Sequence, residues 1–457
     1  MTDRPTPLPA GLVLTWYGDD FTGSAAVMEA LTFGGLNAVL FLDEPKDAWL
    51  ARFPDARAIG IAGIARSQSP DWMRRELPSL FRSLARLAAP VTQYKICSTF
   101  DSAPEVGSIG VAIEIGSAER RGRWIPLLTA APPIHRYQAF GNLFAGSGGA
   151  HRLDRHPTMS RHPVTPMTEA DVRRHLARQT NLPIGLVDLV AMKSGRADEV
   201  LDREIGGGAR IVALDVVDEE TLAIAGRLMW EARDGPCFVA GSQGVEYALM
   251  SYWRSAGLLG MERVAARTAS VDRIVGASGS CSPTTAEQIA WAEGHGFAGV
   301  PVEAALAVDE KAWAAEVGRA VENALAHLSA GRDPILYTSR GPDDHAVERF
   351  AAAVESAAVD EAAVNARIGH GLGLAIDRVV RQTGITRAVL AGGDSSGHGT
   401  RALDIFALTA LAATVPGAAL FKAHSENAAL SNLELALKGG QMGTVDYFGL
   451  IRAGGVG

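Results

Sequence analysis

Short apolar runs of about four to six residues, rich in Val, Ile and Leu, recur along the chain. Each ends in a polar or glycine-rich turn that leads into an amphipathic stretch. Runs this short and this uniformly apolar read as strands buried on both faces, and their alternation with helical patterns is a parallel α/β signature. In the first half they are residues 12–17, 38–42, 58–62, 93–97, 124–129, 185–189, 211–215 and 237–240. In the second half they are 273–277, 299–302, 334–338 and 388–391. Residues 72–87, 170–178, 219–233, 311–329 and 360–382 predict helices, and a helix after the first strand should bury Ala26, Val27, Ala30 and Leu31.

The stretch 255–268, SAGLLGMERVAART, carries no clear strand and precedes a fresh strand-turn unit, DRIVGASGSCS. A chain of 457 residues suits two large domains, at roughly 100 to 200 residues each. The expected fold class is therefore α/β, with two domains of mainly parallel sheets flanked by helices, spanning residues 1–254 and 270–457.

Composition narrows the function. Hydrophobic residues at 47% and charged residues at 21% exclude a disordered or collagen-like chain. The 50 glycines exceed the usual share and suggest tight turns and close backbone approach to ligands. A net charge of −8 argues against a nucleic-acid partner, which needs a basic surface to displace phosphate counterions. Cys97, Cys237 and Cys281 fit neither a disulfide framework nor a CxxC metal site, so a cytoplasmic location is expected. The N-terminus lacks a secretory apolar core, and the most apolar late stretch, ALTALAATVPGAALF, is cut by Pro416-Gly417, short of the roughly 18 residues of a span. No membrane partner is expected.

Several turns carry candidate chemistry. Gly18-Asp19-Asp20-Phe21-Thr22-Gly23-Ser24 follows a strand and opens a helix, the end of a parallel strand where ligands bind. Two adjacent carboxylates there are either solvated or used on hydroxyls, a metal or an ammonium; the plainer alternative is a helix cap by Asp20 or Thr22. Lys95 through Ser102 forms a second strand-to-turn, in which Lys95 suits a carboxylate or phosphate and Ser98, Thr99 and Asp101 suit a polyol. Cys97 reads as a buried structural thiol, since nothing marks a base for it. Residues 120–168 hold seven arginines and four histidines against one acid, Asp154. Arg136 and His162 belong to this insertion, expected to be a mobile anion-binding flap; zinc on its histidines is the lesser alternative because their spacing lies in a Pro/Gly loop. In the second half stand Gly276–Ser282 (with Ser278 and Ser280), Gly392-Gly393-Asp394-Ser395-Ser396-Gly397 and Lys438-Gly439-Gly440-Gln441; the first two follow apolar strands and open helices, so backbone N–H groups there would face an anion such as a nucleotide's phosphates. Tight turns with caps are the alternative.

The ordered set GDDFTG, KICSTFDSAPEVGSIG, HPVTPMTEADV, SGSCSPTT, AGGDSSG and LKGGQMG resembles the four-carbon acid sugar kinases over nearly the whole chain. The resemblance implies a sugar-acid-binding N-terminal domain, an ATP-binding C-terminal domain, and reaction in the interdomain cleft. It implies Asp19, Asp20, Lys95, Ser98, Thr99 and Asp101 at the sugar acid. It implies Ser278 or Ser280, Gly392 to Ser396, and Gly439 or Gly440 at ATP, with Mg²⁺. The general base is expected among Asp19, Asp20 and Asp101, with Asp394 as rival. The partners expected are a small sugar acid of four or five carbons and ATP, and a homo-oligomer is compatible with this. The competing class is a non-catalytic sensor of nucleotide and sugar acid, and a nucleotide-dependent lyase or ligase is a third.

Overall fold

The computed structural model describes residues 4–146, 149–162, 164–260, 267–415 and 418–455. The chain folds as two compact units, Met1–Arg263 and Val264–Gly457.

The first unit contains strands β1 (Leu14–Gly18), β2 (Ala38–Phe41), β3 (Ala58–Ala62), β4 (Val91–Lys95), β5 (Ile125–Leu128), β6 (Arg136–Ala139), β7 (Asn142–Gly146), β8 (Ala150–Arg152), β9 (Ile184–Val187), β10 (Ile211–Leu214) and β11 (Cys237–Gly241). Its helices are α1 (Phe21–Phe33), α2 (Asp47–Leu50), α3 (Pro70–Arg86), α4 (Ile109–Glu119), α5 (Val172–Leu176), α6 (Leu189–Lys193), α7 (Ala197–Gly206), α8 (Glu219–Glu231) and α9 (Gly244–Ser255). The main sheet runs β2-β3-β1-β4-β11-β5-β10-β9, with its strand pairs parallel. Helices on its faces bury the central strands, which is why β1 and β4 read as continuous runs without alternation. β1 pairs with β3 on one side and β4 on the other, so strand order reverses there and a crevice opens outside the carboxyl ends of β1 and β4.

The second unit contains β12 (Val275–Ser278), β13 (Phe297–Pro301), β14 (Asp333–Tyr337), β15 (Arg387–Ala391), β16 (Ala407–Val415), β17 (Ala418–His424) and β18 (Glu434–Lys438). Around them lie α10 (Pro283–Glu293), α11 (Glu310–Ser329), α12 (His345–Ala357), α13 (Glu361–Thr383), α14 (Gly393–Ala402) and α15 (Tyr447–Arg452). Its strands run β13-β14-β12-β15-β18-β17-β16, parallel as far as β18 and antiparallel beyond. β12 lies between β14 and β15, which makes a second reversal.

The expected α/β class with mainly parallel sheets is the observed one. Three differences have physical causes. No strand was expected after residue 391, whereas β16 to β18 lie there; β16 is alanine-rich, and alanine carries little strand preference. In α1 the buried positions are Ser24, Ala25, Val27, Met28 and Leu31, while Ala26 and Ala30 are half-buried, because the 3.6-residue period centres the inner face on positions 24, 28 and 31. The basic insertion is not a loose flap. β6, β7 and β8 form a separate antiparallel sheet, and Leu143, Ala145, Leu153, Met159 and Met167 join the same core cluster as Ile96 and Phe100. The Asp215 carboxylate, at the end of β10, accepts from the Gly141 and Leu189 N–H groups at 3.0 Å each and from Phe140 N–H, fastening the β6–β7 turn to the main sheet.

Candidate functional site: two crevices at strand reversals

At the first reversal the chain leaves β1 through Asp19 and Asp20 and at once enters α1. Asp20 caps that helix, its Oδ1 accepting the Gly23 N–H at 2.8 Å, so the plain capping role is present. It does not exhaust the pair. Arg66, in the turn after β3, donates Nη2 to Asp19 Oδ1 at 2.6 Å and Nε to Asp19 Oδ2 at 3.1 Å. The same guanidinium donates Nη1 to Asp20 Oδ2 at 2.9 Å and Nη2 to Asp20 Oδ1 at 2.8 Å. One planar fork thus spans two carboxylates, which suits arginine and not lysine. Burial pushes the Asp19 carboxyl up, Arg66 draws it back down, and the Asp20 carboxylate adds to the rise. Burial works to lower Arg66, yet the two carboxylates hold it well above its ordinary value. Asp19 is 2% exposed and Asp20 29%, so Asp20 is the acid of the pair within reach of a ligand.

Lys95 ends β4 directly opposite Gly18, and its carbonyl accepts the Asp19 N–H at 2.9 Å. Its ammonium is buried against the first turn of α1, where a Cβ on Gly23 would lie 2.9 Å from Nζ and 2.5 Å from Asp20 Oδ1. The turn beyond Lys95 is tied internally: Thr99 Oγ1 donates to Asp101 at 2.7 Å and lies 3.0 Å from Cys97 Sγ. Burial pushes the Cys97 thiol up to about 11, so it is a neutral thiol at neutral pH, as the absence of a neighbouring base suggested. His175 on α5 buttresses the turn, its Nε2 lying 3.0 Å from the Ser102 carbonyl and 3.1 Å from its hydroxyl.

From the insertion, Arg136 is brought to this turn. Its Nη1 donates to the carbonyls of Ile134 and His135 at 3.3 and 3.2 Å, while Nε is buried with no hydrogen-bond partner. Burial presses its guanidinium below the ordinary value, and nearby Cys97 and Asp101 oppose this. A part-buried guanidinium with an unused donor is a place for an anion. His162 is held within its own loop, its Nδ1 accepting the Thr165 N–H at 3.0 Å. Three of the other six insertion arginines have separate partners, Arg120 on the Ala89 carbonyl at 2.7 Å, Arg123 on Asp202 at 2.8 Å and Arg152 on Asp154 at 2.6 Å, so part of the mutual repulsion is relieved without an anion. Among the described residues no group of three or more His, Cys, Asp or Glu is placed to hold a metal ion.

At the second reversal three glycine loops converge. Gly279 follows β12 and donates its N–H to Ala391 at 3.1 Å, and Gly392 follows β15 at φ +113° and donates to Lys438 at 2.9 Å. A Cβ on Gly279 would lie 2.1 Å from Ser395 Oγ, and one on Gly440 would lie 2.3 Å from Ser280 Oγ, so only glycine lets these loops approach so closely. Ser278 is fully buried, its Oγ accepting the Ser280 N–H at 3.3 Å; Ser396 Oγ donates to the Gly393 carbonyl at 3.0 Å. Both serve the loops' own geometry. Gly393, Ser395, Gly439 and Gly440 are the more accessible members. The backbone of Asp394 lies in α14, but its side chain lies outside the described residues. Lys438, buried at the end of β18, donates to Thr285 Oγ1 at 3.1 Å and the Gly439 carbonyl at 3.2 Å, and burial presses its ammonium down to about 8. Beside the loops opens a pocket whose lining includes Gly279, Ser339 and Ser395 together with Val347, Phe350 and Ile368.

Sequence reasoning missed Arg66, Asp215, His175 and Lys438. Arg66 carried a legible signal: a lone arginine three residues beyond the glycine turn that ends a strand paired with β1.

Residues 14–249 match the family model described as a sugar-binding N-terminal domain, and residues 275–448 match that of a nucleotide-binding C-terminal domain. Over 450 residues the chain is 46% identical to the 3-oxo-isoapionate kinase of Paraburkholderia graminis, covering 98% of this chain and 96% of that one. The chain belongs to the four-carbon acid sugar kinase family. Within that family it is also 32% identical to the 3-oxo-tetronate kinase of Methylobacterium radiotolerans, over 96% of this chain and 98% of that one. Two solved structures share the fold: one from Salmonella typhimurium LT2, with TM-score 0.76, 24% identity and coverage of 96% and 98%, and one from Haemophilus influenzae, with TM-score 0.70, 22% identity and coverage of 95% and 98%. No helix among the described residues is long and apolar enough to cross a membrane.

Proposed function

We propose that this chain is an ATP-dependent kinase that phosphorylates a hydroxyl of a small 3-oxo sugar acid, of the 3-oxo-isoapionate type, during carbohydrate-acid breakdown in the cytoplasm. The first unit takes the sugar acid and the second takes ATP. The observation that carries this reading is the presence, in one chain, of two strand-reversal crevices of opposite character. One holds paired acids with an unpaired guanidinium and a buried ammonium, and the other holds glycine loops beside an apolar-walled pocket.

In the first crevice Lys95 and Arg136 hold the substrate carboxylate, while Ser98, Thr99 and Asp101 hydrogen-bond its hydroxyls. Asp19 fixes Arg66, and Arg66 fixes Asp20 as the base. In the reaction the substrate hydroxyl oxygen bonds to the γ-phosphorus, the bond from that phosphorus to the β,γ-bridging oxygen breaks, ADP leaves, and the hydroxyl proton passes to Asp20. In the second unit the N–H groups of Gly393, Gly439 and Gly440 face the phosphates, and Val347, Phe350 and Ile368 pack on the base. Mg²⁺ accompanying ATP would supply neutralisation of the phosphate charge.

The test is ADP release when the protein is mixed with ATP and, in turn, 3-oxo-isoapionate, 3-oxo-tetronate, threonate and erythronate. Release with none of them, alongside tight binding of both ligands, would replace the kinase with a sensor.

A further inference from the structure

Glu246 lies in the first turn of α9, fully buried, with neither carboxyl oxygen in a hydrogen bond. Beside it stands Gln93 on β4. The Gln93 amide nitrogen braces the end of β11, donating to the carbonyls of Gly241 and Ser242 at 3.3 and 3.1 Å, and its amide oxygen has no partner. Two residues further on, the Lys95 ammonium donates to the Ile96 carbonyl at 2.8 Å. An ammonium has three N–H donors, so two remain for a ligand.

An ionised carboxylate this deep, near an ammonium with donors to spare, would close onto it as an ion pair, because a buried charge without a partner is costly. Glu246 and Lys95 stay apart, which is the arrangement of a neutral acid. A protonated Glu246 carries no buried charge to compensate, and the Gln93 side chain is its polar neighbour. Burial pushes the Glu246 carboxyl up to about 8, while the Lys95 charge and the Gln93 amide draw it down. Lys95 is the charged group whose field reaches Glu246; helices α1 and α8, which also pack on α9, add none.

We propose that Glu246 holds a proton and acts as a positioning residue, leaving Lys95 unpaired for the carboxylate of the sugar acid. The proposal rests on the first unit being the sugar-acid site. As pH rises through about 8, the proton leaves to solvent and the new carboxylate takes the spare donors of Lys95, competing with the substrate.

Two readouts on the full chain test this. Infrared difference titration should show a protonated-carboxyl band that disappears between pH 7 and 9, absent in Glu246→Gln and retained in Lys95→Met. This readout needs no substrate and no turnover. In kinetics, the KM for the sugar acid should rise about tenfold from pH 7 to 9, as one group titrating near 8 dictates, and stay flat in Glu246→Gln, with kcat at pH 7 unchanged. A missing band, or the same KM rise in Glu246→Gln, overturns the proposal. If Glu246→Gln fails to fold, the band in Lys95→Met decides the proton alone. A band that behaves as described in a chain that phosphorylates no sugar acid overturns the functional reading, and with it the role of Lys95, but not the proton.

Discussion

Gly23→Ala separates the stability of the first crevice from its chemistry. Gly23 is the third residue of α1, where alanine is favoured over glycine by roughly 0.5–1 kcal/mol. The added Cβ would lie 2.5 Å from Asp20 Oδ1 and 2.9 Å from Lys95 Nζ, whereas real Cβ contacts essentially never fall below 3.0 Å. The Asp20 carboxylate must therefore retreat by about half an ångström, and its cap on the Gly23 N–H, worth about 1 kcal/mol, is weakened. Gain and loss nearly cancel, so Tm should move by no more than about 3 °C. The chemistry is less forgiving. Since a displacement of about 1 Å costs on the order of a hundredfold, half of that should lower kcat/KM for the sugar acid about tenfold, with the KM for ATP unchanged. Coupled ADP-release kinetics with both substrates varied, alongside thermal melts, measure the two effects separately. A kcat/KM within about twofold of wild type, or a melt lowered by more than about 10 °C, would refute the reasoning.

Asp20→Asn should lower kcat at least about a hundredfold, the scale of losing a general base, with little change in Tm; near-normal turnover would leave the residue as a helix cap. Arg136→Ala should raise the KM for the sugar acid while that for ATP holds constant, the pattern of lost ground-state binding; movement of the ATP constant instead would put Arg136 at the nucleotide. Lys438 titrates near 8 when folded, below its ordinary 10.5, so between these values the unfolded chain binds more protons and stability rises with pH. The second unit's unfolding free energy should climb by up to about 3 kcal/mol across that window in denaturant titrations, and Lys438→Met should lose the climb; parallel curves for the two proteins would dismiss it.

The fold was legible where burial imposes uniform apolar runs. β1, β3, β4 and β11 announce themselves because each is covered on both faces, and the turns at their ends hold the candidate residues. β16 did not, since alanine fits a strand only through its neighbours, which a single sequence does not reveal. At the site, Asp19, Asp20 and Lys95 were legible as motif residues because they share short segments. Arg66 was marked only by its place after a strand-ending glycine turn, and its partners were not legible, because the partnership joins the ends of two neighbouring strands 46 residues apart in the chain. Glu246 was invisible for a similar reason: a glutamate in a first helical turn is ordinarily a dipole-stabilising surface residue, and only the packing shows it buried. The insertion misled in the other direction. Its run of arginines read as one field, but the fold sends Arg120, Arg123 and Arg152 to separate partners and keeps Arg136 near the substrate turn.

The β6–β8 sheet is inserted in the chain between two strands of the main sheet and is fastened to it by the Asp215 carboxylate, the Gln138–Val216 bridge and a patch of core side chains. It contributes Arg136 to the crevice, while Asp19, Asp20, Arg66 and Lys95 all stand on the main sheet's own turns. One of the two cations proposed for the substrate carboxylate is therefore carried on a piece of chain separable from the acid pair. The insertion is an exchangeable cassette: a replacement that keeps the Gln138–Val216 bridge and the N–H groups meeting Asp215 can reshape the wall facing the sugar while the acid pair stays untouched. For engineering, this makes residues 131–171 the place to graft a new specificity, and the ends of β1 and β4 the place to leave alone.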